Sequence, residues 1–235
     1  LSRLAPVDRT DAGLRHPLAL AAIVVSLLAC VANIVGTALD VEWLRAARWL
    51  YTPPLVLTLA AVGAMRDRRA WWWAAGLLLS WVGDTQGGRG FLVLLGAFLV
   101  AHLCYLVALW PTRRASLLGR PAALVHLAVL GAGLVVIVPA VDAGLAVAVV
   151  AYGAVLTLMA VLATAGGPAG LAGGLLFMVS DLVLAVGIFV IDLPDAVQTL
   201  VVIGTYVPAQ VLLVVALVRL VRSDPTRVTP APARA

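Results

Sequence analysis

The chain has 235 residues, of which 63% are hydrophobic and only 11% are charged. A soluble domain carries about 25% charged residues, so this composition excludes an ordinary soluble protein and indicates a membrane protein. All 16 basic residues are arginines, and they cluster at the ends of apolar runs, so the net charge of +5 does not indicate nucleic-acid binding.

Apolar runs predict the elements in chain order. A helix crosses the hydrocarbon core of a bilayer with about 20 apolar residues. Eight runs fit this length: 17–38, 48–65, 70–86, 90–110, 121–140, 143–163, 170–191 and 196–220. The links are too short for a soluble domain. We predict an all-α, polytopic membrane protein, a bundle of eight transmembrane helices (17–221), with a cytoplasmic N-terminal segment (1–16) and a disordered cytoplasmic tail (222–235).

The arginines predict the orientation of this bundle. With eight spans, 13 arginines fall on one side of the membrane and three, Arg45, Arg48 and Arg89, fall on the other. Because cytoplasmic loops carry an excess of positive residues, both termini are predicted to be cytoplasmic, in a bacterial-type inner (cell) membrane. The bilayer is therefore an expected partner. The sequence identifies no protein partner.

Three glycines recur at a spacing of four residues: Gly166, Gly170 and Gly174. Small residues at this spacing share one helix face and let helices approach closely in lipid. We therefore predict a tight helix contact near the start of the seventh predicted span.

Polar residues inside the predicted spans are the candidates for function. An ionised side chain at the bilayer centre costs roughly 2.5–3.5 kcal/mol on insertion scales, so such residues usually face a cavity or a partner. The candidates lie at central or outer depth on five predicted helices: Asn33, Asp84, His102, Tyr105, Ser180, Asp181, Tyr206 and Gln210. His102 and Tyr105 share one helix side, as do Tyr206 and Gln210. We expect a cavity between helices that opens toward the outer side.

Each candidate also has a purely structural interpretation. Asp181 can be a protonated residue bonded to another helix, and Asp84 can be a solvated residue at a helix end. The other polar side chains can simply link helices. The sequence has no serine nucleophile with a plausible base and no zinc-protease motif. One histidine is thin support for a metal site, so neither a metal nor another cofactor is predicted.

The same residues carry a family resemblance. The chain resembles the YhhN-like family of integral membrane proteins, which includes lysoplasmalogenases, in LLLSWVGD (77–84), GAFLVAHLCY (96–105), LLFMVSDLVL (175–184) and GTYVPAQ (204–210). The sequence departs from the family pattern at two places. Tyr51-Thr52-Pro53-Pro54 stands where family members often have Lys-Pro, and polar residues follow Asp84 where the family is apolar.

The resemblance implies that the protein hydrolyses the vinyl ether of a lysoplasmalogen, a single-chain lysophospholipid. The products are a fatty aldehyde and a glycerophospho headgroup. Protonation of a vinyl ether at carbon gives an oxocarbenium ion, to which water adds, so one carboxyl has to be protonated and the other ionised. We expect Asp181 to be the acid and Asp84 the base. His102, Tyr105, Ser180, Tyr206, Gln210 and Asn33 would bind substrate or orient water.

Two other functions stay open at this stage. Intramembrane aspartates and histidines are also typical of proton-coupled small-molecule transporters. Broken helices and two related halves of the chain would favour this function. A non-catalytic membrane scaffold would instead place the polar residues in separate pairs that do not converge.

Overall fold

The structure, a computed structural model, describes residues 14–223. Nine α-helices lie wholly within that range and it contains no strand, which confirms the predicted all-α class. They are α1 (Pro17–Ala38), α2 (Glu42–Arg45), α3 (Pro53–Ala61), α4 (Arg68–Gln86), α5 (Phe91–Leu109), α6 (Leu124–Ile137), α7 (Ala143–Ala163), α8 (Pro168–Phe189) and α9 (Asp195–Arg222). Most of the predicted segments 1–16 and 222–235 lies outside the described residues.

Six helices in the described range are long and apolar enough to cross a membrane. They are α1, α8 and α9, together with α5, α6 and α7 extended by their flanking turns. The chain is therefore a multi-helix membrane protein. α4 has 19 residues but is the least apolar of the long helices, because it begins at Arg68 and Arg69 and contains Asp84. The arrangement of eight spans stays a prediction.

The predicted second span, 48–65, is not one continuous helix. A 3-10 helix, Ala46–Leu50, is followed by a break and then by α3, which has only nine residues. Pro53 and Pro54 cause the break, since they lack the N–H groups that would bond to the carbonyls of Trp49 and Leu50. At membrane depth such an interruption is tolerated only where protein surrounds it or it lines a water-filled cavity.

Side chains of two neighbouring helices hold this break in place. The indole of Trp81 on α4 donates to the Trp49 carbonyl at 3.1 Å, and Ser26 on α1 donates to the Tyr51 carbonyl. The hydroxyl of Thr52 donates in turn to the Leu77 carbonyl of α4 at 2.9 Å. The break is thus fixed between α1 and α4, which brings the Tyr51 side chain into the bundle interior.

Two pairs of helices form the centre of the bundle. α8 packs along α9, and α4 packs along α5, while α1 contacts both α3 and α9. α7 contacts α5 and α8, and α6 packs on α7 and α8 at the edge. α9 has the largest buried share of the six apolar helices and α6 the smallest. The polar candidates on α4, α5, α8 and α9 therefore face a common interior.

The predicted tight contact at the spaced glycines is confirmed. A Cβ atom at Gly166 would press on Ala216 of α9, and one at Gly174 would lie 3.0 Å from Ala160 of α7. At Gly170 it would overlap the carbonyl oxygen of Ala163. The start of α8 thus approaches α7 and α9 more closely than any larger residue would allow.

Candidate active site

Asp84 belongs to a hydrogen-bonded network between α4, α5 and α9. The Tyr206 hydroxyl donates to Asp84 Oδ2 at 2.9 Å. Gln210 Nε2 lies 3.4 Å from the Tyr206 hydroxyl and 3.3 Å from Ser80 Oγ, and Gln210 Oε1 accepts from the Tyr105 hydroxyl at 3.2 Å. The hydroxyls of Ser80 and Tyr105 lie 3.2 Å apart. We call these five side chains the Asp84 network.

Helix geometry explains how this network forms. Ser80 and Asp84 lie four residues apart on α4, and Tyr206 and Gln210 lie four apart on α9, so each pair projects from one side of its helix. Gly76 lies directly against the Tyr105 ring, where a Cβ would clash with it. The missing side chain lets α5 approach α4 closely enough for Tyr105 to reach Gln210.

Asp181 has a different partner, on α7. The hydroxyl of Tyr152 donates to Asp181 Oδ2. The carboxyl group also lines a cavity of about 110 Å³ between α5, α6, α7 and α8. Each of the two carboxyl groups thus takes its hydrogen bond from a different tyrosine.

Four aromatic rings contact one another in series: Tyr206, Phe177, His102 and Tyr152. In this order the centroids of neighbouring rings are 5.4, 4.8 and 5.5 Å apart, and the rings meet edge to face. We call these four rings the aromatic cluster. At one end of the cluster the Tyr206 hydroxyl donates to Asp84, and at the other end the Tyr152 hydroxyl donates to Asp181. The cluster therefore connects the two aspartates through direct contacts.

His102 has one ring nitrogen free. It is fully buried, and its Nδ1 lies 2.6 Å from the Phe98 carbonyl oxygen. Because a carbonyl only accepts, Nδ1 carries the proton, and in neutral imidazole Nε2 is then an acceptor. Nε2 is buried and makes no hydrogen bond within the described range. It is therefore a buried acceptor that has no partner in this part of the chain.

Six of the eight predicted site residues converge in this region. They are Asp84, His102, Tyr105, Asp181, Tyr206 and Gln210. The other two make their hydrogen bonds to backbone. Asn33 donates to the Arg45 carbonyl at 2.8 Å, and Ser180 donates to the Val202 carbonyl at 3.1 Å. In residues 14–223, no three His, Cys, Asp or Glu side chains are grouped so that they could hold a metal ion.

Sequence reasoning missed two tyrosines. Tyr152 is the one large polar residue in the middle of the apolar run of α7, a position that resembles those of the recognised candidates. Tyr51, at the break before α3, is also buried, with only 2% of it exposed. Its ring meets that of Tyr206, which bonds to Asp84, edge to face at 6.3 Å, and its hydroxyl has no hydrogen-bond partner within residues 14–223. In the sequence, the two prolines that follow Tyr51 were the feature from which its position at a break in the helix could have been inferred.

Comparison with known proteins supports the resemblance seen in the sequence. A family model described as the YhhN family matches residues 46–217. The chain belongs to the YhhN family. The match covers the broken segment and both aspartates, whereas Asn33 lies outside it. No curated protein matches the chain, and no solved structure does.

Proposed function

We propose that this YhhN-family protein is an intramembrane hydrolase that cleaves the vinyl ether bond of lysoplasmalogen or a related single-chain ether lipid. One observation carries the proposal. Two carboxyl groups inside the bundle each accept a hydrogen bond from a tyrosine of the same aromatic cluster. Carboxyl groups at membrane depth are costly, so a pair with shared surroundings indicates chemistry rather than packing.

The reaction begins with protonation of a carbon atom. The carboxyl proton of Asp181 goes to the vinyl carbon on the side of the alkyl chain, which leaves an oxocarbenium ion at the carbon bonded to oxygen. Asp181 is given this role because its carboxyl adjoins the apolar cavity, where the alkyl chain would lie. Asp84 lies two residues from the end of α4, whereas Asp181 lies in the middle of α8, so we place Asp84 on the side of water.

Water then adds to the oxocarbenium ion, and Asp84 accepts its proton. This gives a hemiacetal, with Asp181 ionised and Asp84 protonated. In the second half, Asp181 takes the hemiacetal hydroxyl proton and Asp84 gives its proton to the leaving glycerol oxygen. The C–O bond breaks, aldehyde and alcohol are released, and both carboxyls return to their starting states. The cycle consumes one water and needs no cofactor, and acid–base catalysis of this kind contributes about 10²–10⁴-fold.

The neighbouring side chains position the reactants. Tyr206, whose hydroxyl accepts a hydrogen bond from Gln210, donates to one oxygen of Asp84 and leaves the other oxygen for water. The free Nε2 of His102 lies in the cluster between the carboxyl groups, where it accepts a hydrogen bond from the attacking water. Groups held in place by several hydrogen bonds avoid the entropic cost of ordering at each turnover.

The orientation of the protein in the membrane is part of the proposal. With both termini in the cytoplasm, α4 ends on the outer side, two residues after Asp84. A single-chain lipid of the outer leaflet would then reach the carboxyl pair with its headgroup still near water. The arginine distribution of 13 against three supports this orientation.

The rival function is proton-coupled transport of a small molecule. The break at 51–54 is a feature that transporters also use. We favour hydrolysis because the cavity beside Asp181 is lined almost wholly by hydrocarbon. That wall suits a lipid chain better than a water-soluble solute.

The direct test is aldehyde release by the purified protein in lipid nanodiscs. We expect fatty aldehyde from lysoplasmalogen and none from the matched lysolipid with a saturated alkyl ether, which has no double bond to protonate. Mass spectrometry of the lipid extract measures both products. If no vinyl ether lysolipid gives aldehyde, the proposed function is wrong.

Tyr51 provides a second test of the same site. Its hydroxyl is buried without a hydrogen-bond partner in the described part of the chain, and its ring contacts Tyr206, which bonds to Asp84, so we assign it a role as donor to water or substrate. Tyr51→Phe keeps the ring packing against Tyr206 and removes only the hydroxyl. We expect kcat to fall about tenfold with an unchanged melting temperature, as for the loss of one hydrogen bond. An unchanged kcat would show that the hydroxyl has no part in turnover.

A further inference from the structure

Two buried polar side chains take no part in the proposed chemistry. His126 on α6 is fully buried, and neither of its ring nitrogens has a hydrogen-bond partner within residues 14–223. Thr157 on α7 is almost fully buried, and its hydroxyl also lacks a partner in that range. Buried polar groups normally have a partner, and in a membrane interior bulk water cannot supply one. The two side chains therefore present three polar atoms whose hydrogen-bonding capacity the described residues do not use.

Helix register places the two side chains opposite each other. α6 and α7 are joined by the short link 138–142 and pack together, so they run antiparallel. A Cβ atom at Gly153 of α7 would lie 2.7 Å from a methyl group of Leu130, so these two residues face each other across the interface. His126 lies four residues before Leu130, and Thr157 lies four residues after Gly153. Because residues four apart share a helix face, His126 and Thr157 face each other one turn further along the interface.

This position is one end of the cavity beside Asp181. Thr157 belongs to the cavity wall, as does Leu130, and His126 continues the same side of α6 by one turn. Phe189 lies at the opposite end of the cavity, because α8 begins beside the end of α7 and runs away from it. His126 and Thr157 therefore form a polar end of the cavity, between the start of α6 and the end of α7.

The bonding capacity of the two side chains identifies the ligand. A neutral imidazole has one donor and one acceptor, and a hydroxyl group can donate and accept. A single water molecule satisfies both, since buried waters typically make two to four hydrogen bonds to polar groups that have no other partner. A larger polar ligand would need more partners than these two side chains, because the adjoining cavity wall is almost wholly hydrocarbon. The ligand that fits this end of the cavity is therefore water.

We propose that a bound water molecule bridges His126 and Thr157 and fastens α6 to α7. α6 is the least buried of the six apolar helices, yet it supplies one wall of the cavity beside Asp181. A hydrogen-bonded bridge at the start of α6 holds this edge helix against the bundle and so maintains the shape of the cavity. The inference is independent of the proposed function, because it holds for any reaction or transport at Asp181.

Thermal unfolding distinguishes a hydrated site from a dry one by the sign of its change. If Thr157 bonds to the bridging water, Thr157→Val removes that bond and leaves the water and His126 with one partner fewer. The melting temperature should then fall by several degrees. In a dry site the same change would remove an unpaired buried hydroxyl, and the melting temperature would rise. The double variant His126→Leu with Thr157→Val should be no less stable than Thr157→Val, since no buried polar group is then left without its partner.

Nuclear magnetic resonance in nanodiscs detects the water itself. The chain has three histidines, so labelling of histidine with a heavy nitrogen isotope gives three rings, and the signals lost in His126→Leu belong to His126. We expect transfer of magnetisation from water to the His126 ring in the wild type. Thr157→Val should lower this transfer about fivefold, as for the loss of one hydrogen bond to the water. Thr205→Val is the matched control and should leave it unchanged, because the Thr205 hydroxyl bonds to the Val201 carbonyl within α9.

Three results would overturn the bridge. Wild-type protein without transfer from water to the His126 ring would have a dry site. Equal transfer in folded Thr157→Val would place the water away from Thr157, and a higher melting temperature of this variant would show that its hydroxyl had no partner. If Thr157→Val fails to fold, Thr157→Ala takes its place in both measurements, and Thr157→Ser, which keeps the hydroxyl, should retain the transfer.

Discussion

Asp181→Asn is expected to lower lysoplasmalogen turnover by about a thousandfold, within the range of general acid catalysis. Asparagine keeps the shape of the side chain and still accepts the Tyr152 hydrogen bond, but it has no acidic proton for the vinyl carbon. Asp84→Asn should have an effect of similar size, because it removes the group that accepts the proton of water. Both variants should keep the melting temperature of the wild type within a few degrees.

Asp142→Asn is the matched control for both variants. Asp142 lies outside the site, at the start of α7, and accepts hydrogen bonds from the backbone N–H groups of Gly144 and Leu145. Asparagine caps a helix about as well as aspartate, so turnover and stability should stay unchanged. Full activity in folded Asp84→Asn or Asp181→Asn would rule out the two-carboxyl mechanism.

The double variant tests whether the aspartates act together. Groups that act as one unit show strongly non-additive effects, so the double variant should be only slightly slower than either single variant. If the losses multiply instead, the two carboxyls contribute independently.

Gly170→Ala is expected to destabilise the folded protein by at least ~3 kcal/mol, the upper end for overpacked sites. The new methyl group would overlap the carbonyl oxygen of Ala163, a backbone atom at the end of α7 that cannot rotate away. The same two helices bring Tyr152 to Asp181, so turnover should fall together with stability. Thermal unfolding in detergent, followed by the fraction of monodisperse protein, measures the change.

Gly131→Ala is the control for this substitution. A Cβ at Gly131 has no neighbour within 4 Å, so the change adds a better helix former without a clash. Its melting temperature should equal or slightly exceed that of the wild type. A wild-type melting temperature for Gly170→Ala would contradict the close approach of α7 and α8.

The sequence was sufficient to find the residues that stand out against an apolar background. Asp84, His102, Asp181 and Gln210 are conspicuous in membrane helices because burying them costs free energy. Tyr152 and Tyr51 escaped notice because a tyrosine is equally suited to a membrane interface, and only the packing shows that its hydroxyl lies inside. The hydrogen bond from Tyr152 to Asp181 depends on the placement of α7, which no local pattern determines.

The second predicted span shows a different limit of prediction from sequence. Hydropathy over 48–65 averages across Pro53 and Pro54, so it does not register the backbone hydrogen bonds that these residues remove. The partners that repair the break, Trp81 and Ser26, come from other helices and cannot be read locally. Asn33 and Ser180 were selected by polarity alone, and backbone bonding accounts for both.

Turnover of lysoplasmalogen in deuterated water tests the central claim most directly. If an acid protonates the vinyl carbon, the released aldehyde carries one deuterium on the carbon next to its carbonyl group. A reference aldehyde kept in the same solution for the same time corrects for exchange after release. We expect this single deuterium with the wild type and no aldehyde with Asp181→Asn. Aldehyde released without deuterium at that carbon would contradict the mechanism.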